Sequence, residues 1–352
     1  MPAKIILDCE RMKYPHTGLY HFCHNLSKHL LASSNPEKEE INFFLPTNLK
    51  NVFGADKQYI IQKPWHKILL PNTQNYNVWH ATHQDTDYFP QNKKIPLVLT
   101  IHDLNIIHNK SKSEEKKKKF LKDLAKKINR ADHITFISNF TKTDALQYVD
   151  IGNKPSTVIY NGCNIDPFEN LLSPLTPPTT PFYFIIGTIA EKKNFHVLPA
   201  LLVDNDRLLI IAGITQSKEY KQLIIKEAIK HGVENRVIFT DAINENDKQW
   251  YYKNCEAFVF PSLTEGFGLP VVEAMFYGKP IFLSTFTSLP EIGGDVTYYF
   301  NSFLKEDMQF TVEQGLLHYK NTNQAEKIKA RSSLFSWKHS AEQYLQVYRS
   351  LY

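Results

Sequence analysis

The residues best suited to chemistry lie in one stretch, residues 261–275, which reads PSLTEGFGLPVVEAM. Gly266 and Gly268 allow a tight loop and a close approach of the backbone to a ligand. A helix is predicted to begin near Leu269, since Pro270 is tolerated in a first turn. Its free amides would point at whatever lies above the loop, and such a helix end favours an anion such as pyrophosphate.

Two carboxylates accompany this loop. Glu265 precedes it, and Glu273 lies one turn into the predicted helix. A carboxylate there can accept hydrogen bonds from paired hydroxyls, as acidic residues do for ribose in dinucleotide-binding folds. The plain alternative is a strand–loop–helix in which Glu265 caps the helix. A nicotinamide site is not supported, because Val271 stands where the third glycine of that fingerprint would be.

The elements around the loop follow an α/β pattern. Short apolar runs alternate with longer amphipathic segments, which indicates βαβ units and mostly parallel sheets. Strands are predicted at residues 3–7, 41–45, 78–80, 97–101, 134–137, 157–160, 182–186, 208–212, 237–240, 257–260 and 281–283. Helices are predicted at residues 194–202, 217–231, 246–254 and 269–277, and from about residue 304 onward.

A proline-rich stretch divides the pattern. A chain of 352 residues favours two domains, with a single α/β barrel as the main competitor. Residues 166–181 contain five prolines, which stop helices and are excluded from central strands. We therefore predict an N-terminal domain at 1–165, a linker at 166–181 and a C-terminal domain at 182–335. A final helix at 336–352 is expected to pack back on the N-terminal domain.

Charge is distributed unevenly. The net charge is +5, but residues 1–165 carry 23 Lys and Arg against 15 Asp and Glu, while the remainder carries 18 against 21. Residues 110–130 hold ten basic and three acidic side chains, with apolar residues at helical spacing. A solvated surface helix is one interpretation. The other is a patch for anionic lipid headgroups, at about 1 kcal/mol per Lys near the surface. Nucleic acid is not expected, because only Phe120 interleaves with the lysines.

Other patterns exclude several classes of protein. With 42% hydrophobic and 22% charged residues, the chain is unlike a disordered, collagenous or coiled-coil protein. Its four cysteines form no CxxC pair, which indicates a reducing compartment. With neither a signal peptide nor an apolar run of about 18 residues, we expect a cytoplasmic protein.

No metal site is predicted. Residues 85–87 and 204–206 both read Asp-x-Asp, a pattern that can hold a divalent cation, but such short matches arise by chance. His80 and His83 have a ligand-like spacing without a third ligand nearby.

The same stretch resembles glycosyltransferase family 4, which has the GT-B architecture. The Glu-x7-Glu motif of that family matches Glu265 and Glu273, including the Gly-Phe-Gly-Leu-Pro between them. Further short blocks agree in order along nearly the whole chain, at residues 17–20, 100–104, 138–142, 159–162, 187–194, 289–291 and 335–337. The resemblance is specific for the family and not for a substrate.

The resemblance implies two Rossmann-like domains whose parallel sheets face each other across a cleft. It also implies transfer of a sugar from a nucleotide sugar with retention at the anomeric carbon, with no required metal or other cofactor. The donor would lie mainly on the C-terminal domain and the acceptor on the N-terminal domain.

The resemblance also assigns roles to residues. Glu265, His102 and Lys193 would be catalytic, with His102 near the sugar and the acceptor, and Glu273 would bind ribose hydroxyls. The amides of the loop would hold the transferred sugar, and Gly18 would approach the donor phosphates. The full donor-binding set is Gly18, Gly187, Lys192, Lys193, Gly266, Phe267, Gly268, Leu269 and Glu273.

The chain departs from the family beside Gly187. Many members carry Arg directly after this glycine, where Thr188 stands here, and related members carry Arg where Lys192 stands. Lys193 matches the family. Lysine is a point charge without bidentate geometry, so we expect the difference to affect donor affinity more than activity.

The expected function is that of a retaining hexosyltransferase. Mannose from a guanosine donor is preferred, and the acceptor is expected to be a growing polysaccharide or a lipid-linked oligosaccharide. Front-face displacement is expected, although the sequence also allows a covalent intermediate. Alternatives are a non-catalytic sugar-nucleotide-binding partner and a GT-B-type epimerase or phosphorylase. Peripheral contact with the inner face of the plasma membrane would use residues 110–130.

Overall fold

The chain divides into two units. The computed structural model describes residues 1–15, 17–70, 73–90, 92–109 and 111–352. Unit 1 comprises Met1–Gly162 together with Ser336–Tyr352, and unit 2 comprises Cys163–Phe335. Lys110, the first residue of the predicted basic segment, lies outside the described residues.

A parallel sheet forms the centre of unit 1. Its strands are β1 Ala3–Asp8, β2 Glu39–Leu45, β3 Tyr59–Ile61, β4 Val78–Ala81, β5 Leu97–Ile101, β6 His133–Phe136 and β7 Ser156–Val158. They lie in the order β3-β2-β1-β4-β5-β6-β7, and every pair is parallel. All residues of β4, β5 and β6 are buried, as expected for strands covered on both faces. The register pairs Asp8 with Ala81 and Ile101 with Phe136, so the carboxyl ends of four strands lie at one edge.

Helices connect these strands. They are α1 Gly18–Ser33, α2 Asn105–His108, α3 Glu114–Arg130 and α4 Asn139–Tyr148, with short 3-10 helices at Glu10–Lys13, Thr47–Leu49, Pro64–Lys67 and Thr73–Asn75. Hydroxyl groups cap α1, α3 and α4, since Thr17, Ser113 and Ser138 each accept a hydrogen bond from a first-turn amide. Helix α3 confirms the amphipathic segment: Leu124 and Ile128 are buried. Its exposed lysines are Lys116, Lys118, Lys119, Lys122 and Lys126.

The final helix, Trp337–Arg349, belongs to unit 1. It buries Trp337, Tyr344 and Tyr348. The Tyr348 hydroxyl lies 2.7 Å from His80 Nδ1 on β4. Unit 1 is therefore assembled from two stretches of chain that are separated by the whole of unit 2.

Unit 2 is built on a second parallel sheet. Its strands are β8 Phe182–Ile186, β9 Leu208–Ala212, β10 Val237–Asp241, β11 Ala257–Phe260, β12 Ile281–Ser284 and β13 Tyr298–Phe300, in the order β10-β9-β8-β11-β12-β13. Its helices are α5 Lys218–Lys230, α6 Glu245–Asn254, α7 Leu269–Phe276, α8 Leu289–Gly293, α9 Lys305–Asn321 and α10 Gln324–Ser332. Its 3-10 helices are Glu191–Lys193, Phe195–Leu202, Glu234–Arg236 and Gly294–Val296. The prediction of two α/β halves with parallel sheets is confirmed.

Three details differ from the sequence-based expectation. The short strands β3 and β13 were not predicted, and the segment after Asn194 forms a 3-10 helix that contains Pro199. Residues 166–181 are part of unit 2 and not a free linker. Side chains of α6 hold this stretch, since Gln249 Nε2 donates to Asp166 O at 2.9 Å and Asn246 Nδ2 to Leu172 O at 2.8 Å. In the described ranges, no helix is both long enough and apolar enough to cross a bilayer.

Candidate active site

The loop between β11 and α7 has the geometry that its glycines predict. Gly268 has φ +107°, a conformation that side chains rarely adopt. A Cβ atom there would lie 3.1 Å from Leu289 Cδ2. Helix α7 begins at Leu269, as predicted. Among the described residues, the amides of Gly268 and Leu269 have no hydrogen-bond acceptor, so this helix end is open to an anion.

Glu265 lies in a network of cations and hydroxyls. Its Oε1 accepts hydrogen bonds from Lys193 Nζ at 2.5 Å and from Ser262 Oγ at 2.6 Å. Burial would raise the pKa of Glu265, but the ammonium groups of Lys193 and Lys192 and these hydrogen bonds hold it below its ordinary value. The carboxylate is therefore ionised. The alternative in which Glu265 caps α7 is wrong, because Gly268 occupies the N-cap position without a side-chain bond.

Lys193 is buried beside the carboxyl end of β8. Its Nζ lies 5.0 Å from the ring centroid of Phe260, in addition to its contact with Glu265. Gly187 lies against it: a Cβ atom at that position would be in ordinary van der Waals contact, 3.5 Å from Lys193 Cε. Lys192 is exposed, and its carbonyl accepts a hydrogen bond from Leu263 N at 2.8 Å. The structure thus brings Lys193 to Glu265 and leaves the Lys192 side chain at the surface.

Two hydroxyl residues that lie more than twenty positions further along the sequence form hydrogen bonds with the loop. Thr287 Oγ1 accepts a hydrogen bond from Glu265 N at 3.0 Å. Ser288 Oγ lies 3.0 Å from the carbonyl oxygens of Glu265 and Phe267. The sequence analysis missed both residues, because no local pattern connects them with the loop.

A second glycine contact lies at the carboxyl ends of β8 and β9. Gly213 has φ +130°, and a Cβ atom there would lie 2.1 Å from Gly187 O. Gly187 N donates to Ala212 O at 2.9 Å, which fixes this close approach. Gly213 was also not predicted as part of the site, and it positions Gly187 beside Lys193.

Glu273 is buried and bound by three donors. Tyr252 OH donates to Oε2 at 2.9 Å, while Asn164 Nδ2 at 3.0 Å and Lys248 Nζ at 3.4 Å donate to Oε1. Burial would lower the pKa of Lys248, but the carboxylates of Glu273 and Glu245 raise it above its ordinary value. Lys248 and Tyr252 share one face of α6 with Glu245, so their helical spacing was a usable sequence signal.

His102 is held firmly at the carboxyl end of β5. Its amide donates to Gln84 Oε1 at 3.0 Å, and the Phe22 ring packs edge-on at 4.6 Å between centroids. Its Nε2 lies 2.8 Å from Thr82 O. Since a carbonyl only accepts, Nε2 carries the proton and Nδ1 carries a lone pair. Burial lowers the pKa of His102 to about 4, so the ring is neutral near pH 7.

Gly18 is the exposed first residue of α1. Thr17 caps that helix, accepting from Tyr20 N at 3.3 Å. Gly18 and His102 lie in unit 1, and the other predicted site residues lie in unit 2.

The predicted absence of a metal site remains a prediction. Among the residues that the structure describes, no three His, Cys, Asp or Glu side chains come together as metal ligands would. In the Asp-x-Asp pair at 85–87, Asp87 instead forms an ion pair with Lys67 at 3.0 Å.

Two family models match the chain. Glycosyltransferase family 4 matches residues 29–167, and glycosyl transferases group 1 matches residues 169–307. The two matches are adjacent and follow each other in the order of the two units.

Individual proteins resemble the chain as well. The serotype-specific mannosyltransferase WbdA of Escherichia coli is 30% identical over 268 residues, covering 69% of this chain. The chain spans about a third of that relative, 32% of its length. The O-antigen chain mannosyltransferase B of Escherichia coli is 23% identical over 388 aligned positions, covering 99% of this chain and 100% of the relative. The crystal structure of Anabaena HepE in complex with UDP-glucose superposes with a TM-score of 0.71 at 17% identity, covering 99% of each chain.

Proposed function

Because the chain belongs to glycosyltransferase family 4 and has the GT-B fold, we propose that it is a retaining hexosyltransferase. It transfers a hexose, with mannose preferred, from a nucleotide-diphosphate sugar. The acceptor is a growing polysaccharide or a lipid-linked oligosaccharide.

The contact between Lys193 and Glu265 beside the open end of α7 carries this proposal. It places a cation and backbone amides, which suit a diphosphate, next to an ionised carboxylate, which suits sugar hydroxyls. Lys193 neutralises the leaving diphosphate as the glycosidic bond breaks. Charge-assisted contacts of this kind contribute about 1.5–3 kcal/mol each. Glu265 and the amides of residues 266–268 hold the transferred sugar.

Glu273 binds the ribose hydroxyls of the donor. A carboxylate offers about four lone-pair sites, and three donors already fix its orientation. Ribose hydroxyls use the remaining acceptor capacity and compete with the long contact from Lys248. Lys192, Gly187 and the amide of Leu269 complete the donor site on unit 2.

The names of the relatives support the choice of sugar. WbdA and the O-antigen chain mannosyltransferase B are both named for mannose transfer, and HepE holds UDP-glucose. A guanosine donor is preferred for this chain. The nucleoside diphosphate leaves the anomeric carbon and the acceptor oxygen bonds to that carbon on the same face of the sugar, while an oxygen of the leaving diphosphate takes the acceptor proton. We propose that neither a metal nor another cofactor takes part.

Helix α3 supplies the contact with an anionic surface. Its exposed lysines attract anionic headgroups electrostatically. The protein acts in the cytoplasm and meets the inner face of the plasma membrane peripherally. No nucleic acid takes part.

The proposal is tested by removing each partner of the ion pair. Glu265→Gln and Lys193→Met should each lower transfer from GDP-mannose by roughly 100-fold, as for loss of one preorganised polar contact. Breaking a buried pair costs about 3–5 kcal/mol, so thermal unfolding is measured in parallel. The double variant is neutral at both positions and controls for misfolding. Lys230→Ala, at an exposed position, is the surface control.

Three results discriminate the alternatives. Full activity in either single variant contradicts the site. Stabilisation by GDP or UDP without turnover on a panel of acceptors favours a non-catalytic binding partner. Product analysis separates transfer from epimerisation or phosphorolysis.

A further inference from the structure

Phe286 is an exposed aromatic side chain beside the loop that carries Glu265. It lies two residues after the end of β12, and 46% of its surface is accessible. The next residue, Thr287, accepts the hydrogen bond from Glu265 N. On the other side, Phe286 N donates to Ser284 Oγ at 3.4 Å, and that hydroxyl donates to Ser262 O. The backbone that carries Phe286 is therefore fixed to the loop on both sides.

A column of aromatic rings supports Phe286. Its ring stacks against that of Phe303, with 6.3 Å between the centroids and 24° between the planes. Phe303 follows β13 and contacts the ring of Phe300 at 6.5 Å, and Phe300 stacks on Phe282 at 6.1 Å. The last two rings are buried. Phe286 and Phe303, here called the aromatic platform, thus extend from the core of unit 2 to its surface.

The polar residues around the aromatic platform are neutral. Residues 284–289 and 300–304 contain no charged side chain, and Thr285 and Asn301 among them are exposed. A pyranose ring has an apolar face of C–H groups and a rim of hydroxyl groups. It therefore matches an aromatic surface that has hydroxyl and amide groups beside it. A phosphate or a carboxylate would find no cation in these two segments, and an acyl chain would not use their polar groups.

The strand order places the aromatic platform in a series with the residues of the proposed site. Strands β8, β11, β12 and β13 are neighbours in that order and are all parallel. Lys193 follows β8, Glu265 follows β11, and the platform follows β12 and β13. In the proposed function, Lys193 meets the diphosphate and Glu265 meets the transferred hexose. The platform therefore comes next along this sheet edge, on the side away from the diphosphate.

We infer that the aromatic platform binds the apolar face of a pyranose ring of the acceptor saccharide. The transferred hexose is already held by Glu265 and the amides of the loop, so the platform serves a second sugar. The inference rests on the proposed function, because it names the part of the acceptor that unit 2 contacts. The rings support each other before the sugar arrives, so little side-chain freedom is lost on binding.

Saturation-transfer NMR tests the aromatic platform without any need for turnover. Irradiating the aromatic protons of the full-length protein, with GDP present, should transfer saturation to the ring protons of methyl α-D-mannopyranoside. Phe286→Ala should lose most of this transfer, because the exposed ring of the platform is gone. Equal signals in the two proteins, whether strong or absent, overturn the inference.

Substitutions of Phe286 separate stacking from general apolar contact. With methyl α-D-mannopyranoside as acceptor, Phe286→Ala should raise the KM for the acceptor about tenfold, as for loss of one stacking contact. Phe286→Trp keeps a flat ring and should retain most of the affinity. Phe286→Leu keeps apolar bulk without a flat ring and should resemble Phe286→Ala. A leucine variant equal to the wild type would assign the platform to an acyl chain and contradict the inference.

Two further measurements exclude other causes. The KM for GDP-mannose in hydrolysis without acceptor reports on the donor site. A comparable rise there in Phe286→Ala would show that the substitution acts on the donor sugar or on the Glu265 loop, and the inference would be wrong. Phe310→Ala removes a ring of α9 that is 64% exposed and should leave the KM for the acceptor as in the wild type. A wild-type protein without turnover contradicts the proposed function, and the NMR experiment then decides the platform alone.

Discussion

Thr287 adopts a backbone conformation that β-branched residues avoid. Its φ is +55°, in the left-handed region. Such a conformation costs roughly 1–3 kcal/mol and persists only where the surroundings hold it. The hydrogen bond that Thr287 Oγ1 accepts from Glu265 N is one such restraint. The loop that carries Glu265 is thus held in place by a strained residue.

Two substitutions separate the strain from the hydrogen bond. Thr287→Ala keeps the strain and removes the acceptor, so the free energy of unfolding should fall by about 1–2 kcal/mol. Thr287→Gly also removes the acceptor, but it relieves the cost of the left-handed conformation, about 1–2 kcal/mol. The free energy of unfolding should therefore fall less in this variant than in Thr287→Ala. Urea unfolding measures both. A glycine variant less stable than the alanine variant would contradict this account.

Asp8 is a buried carboxyl group at the end of β1. Burial raises its pKa to about 7, although a hydrogen bond from Thr86 opposes the shift. An unfolded Asp has a pKa of about 3.9, so the folded protein retains a proton that the unfolded chain loses between these values. The stability that this group contributes is present below pH 4 and is lost as the pH rises through 7.

Asp8→Asn should remove this dependence on pH. The amide resembles the protonated carboxyl group and can still accept from Glu10 N, which lies 3.1 Å from Asp8 Oδ1. Variant and wild type should be equally stable near pH 4. The variant should be the more stable by on the order of 4 kcal/mol above pH 7. The check is urea unfolding at several pH values, and a difference independent of pH would refute it.

At the scale of elements, the final helix is tied to the sheet of unit 1 by buried polar contacts. His80 lies between Tyr348 OH and Thr100 Oγ1, each 2.7 Å from a ring nitrogen. Burial lowers the pKa of His80 to about 3, so this histidine is neutral and needs both partners. The helix closes the core of unit 1 through these contacts.

Tyr348→Phe removes one of these partners. Leaving His80 Nδ1 buried without a partner should lower the free energy of unfolding by about 1–3 kcal/mol. Tyr14→Phe, at a side chain that is 49% exposed, should change it by less than about 0.5 kcal/mol. Thermal unfolding followed by circular dichroism compares the two. Equal effects would show that the contact with His80 contributes nothing.

The same scale shows what the sequence can predict. Apolar runs of four or five residues placed the central strands correctly, because burial on both faces demands continuous apolar side chains. The edge strands β3 and β13 have three residues each, too few for a periodic pattern. The loop with Glu265 could be predicted from its glycines. The role of Thr287 could not be predicted, because backbone strain and long-range hydrogen bonds leave no local sequence pattern.

At the scale of the whole molecule, the excess of positive charge lies in unit 1. Exposed lysines of α3 contribute much of it. Attraction to an anionic surface is screened over about 10 Å at 0.1 M salt, so binding through this helix should depend strongly on salt.

Vesicle sedimentation tests this surface. Full-length protein should sediment with vesicles containing phosphatidylglycerol at low salt and be released at high salt. Replacing Lys116, Lys118, Lys119 and Lys122 by Gln should abolish retention, since each Lys contributes about 1 kcal/mol. Replacing Lys218, Lys226, Lys230 and Lys253 of unit 2 makes the same change in charge and should have little effect. Equal loss in both variants would show that net charge, and not α3, determines binding.

The position of the final helix also sets an order of events during synthesis. Residues 1–162 emerge from the ribosome first, but Tyr344 and Tyr348, which cover His80 and its neighbours, are translated only after unit 2 is complete. Unit 2 is one uninterrupted stretch and has all its own strands by then. Part of the core of unit 1 therefore stays uncovered until Tyr344 and Tyr348 have been translated.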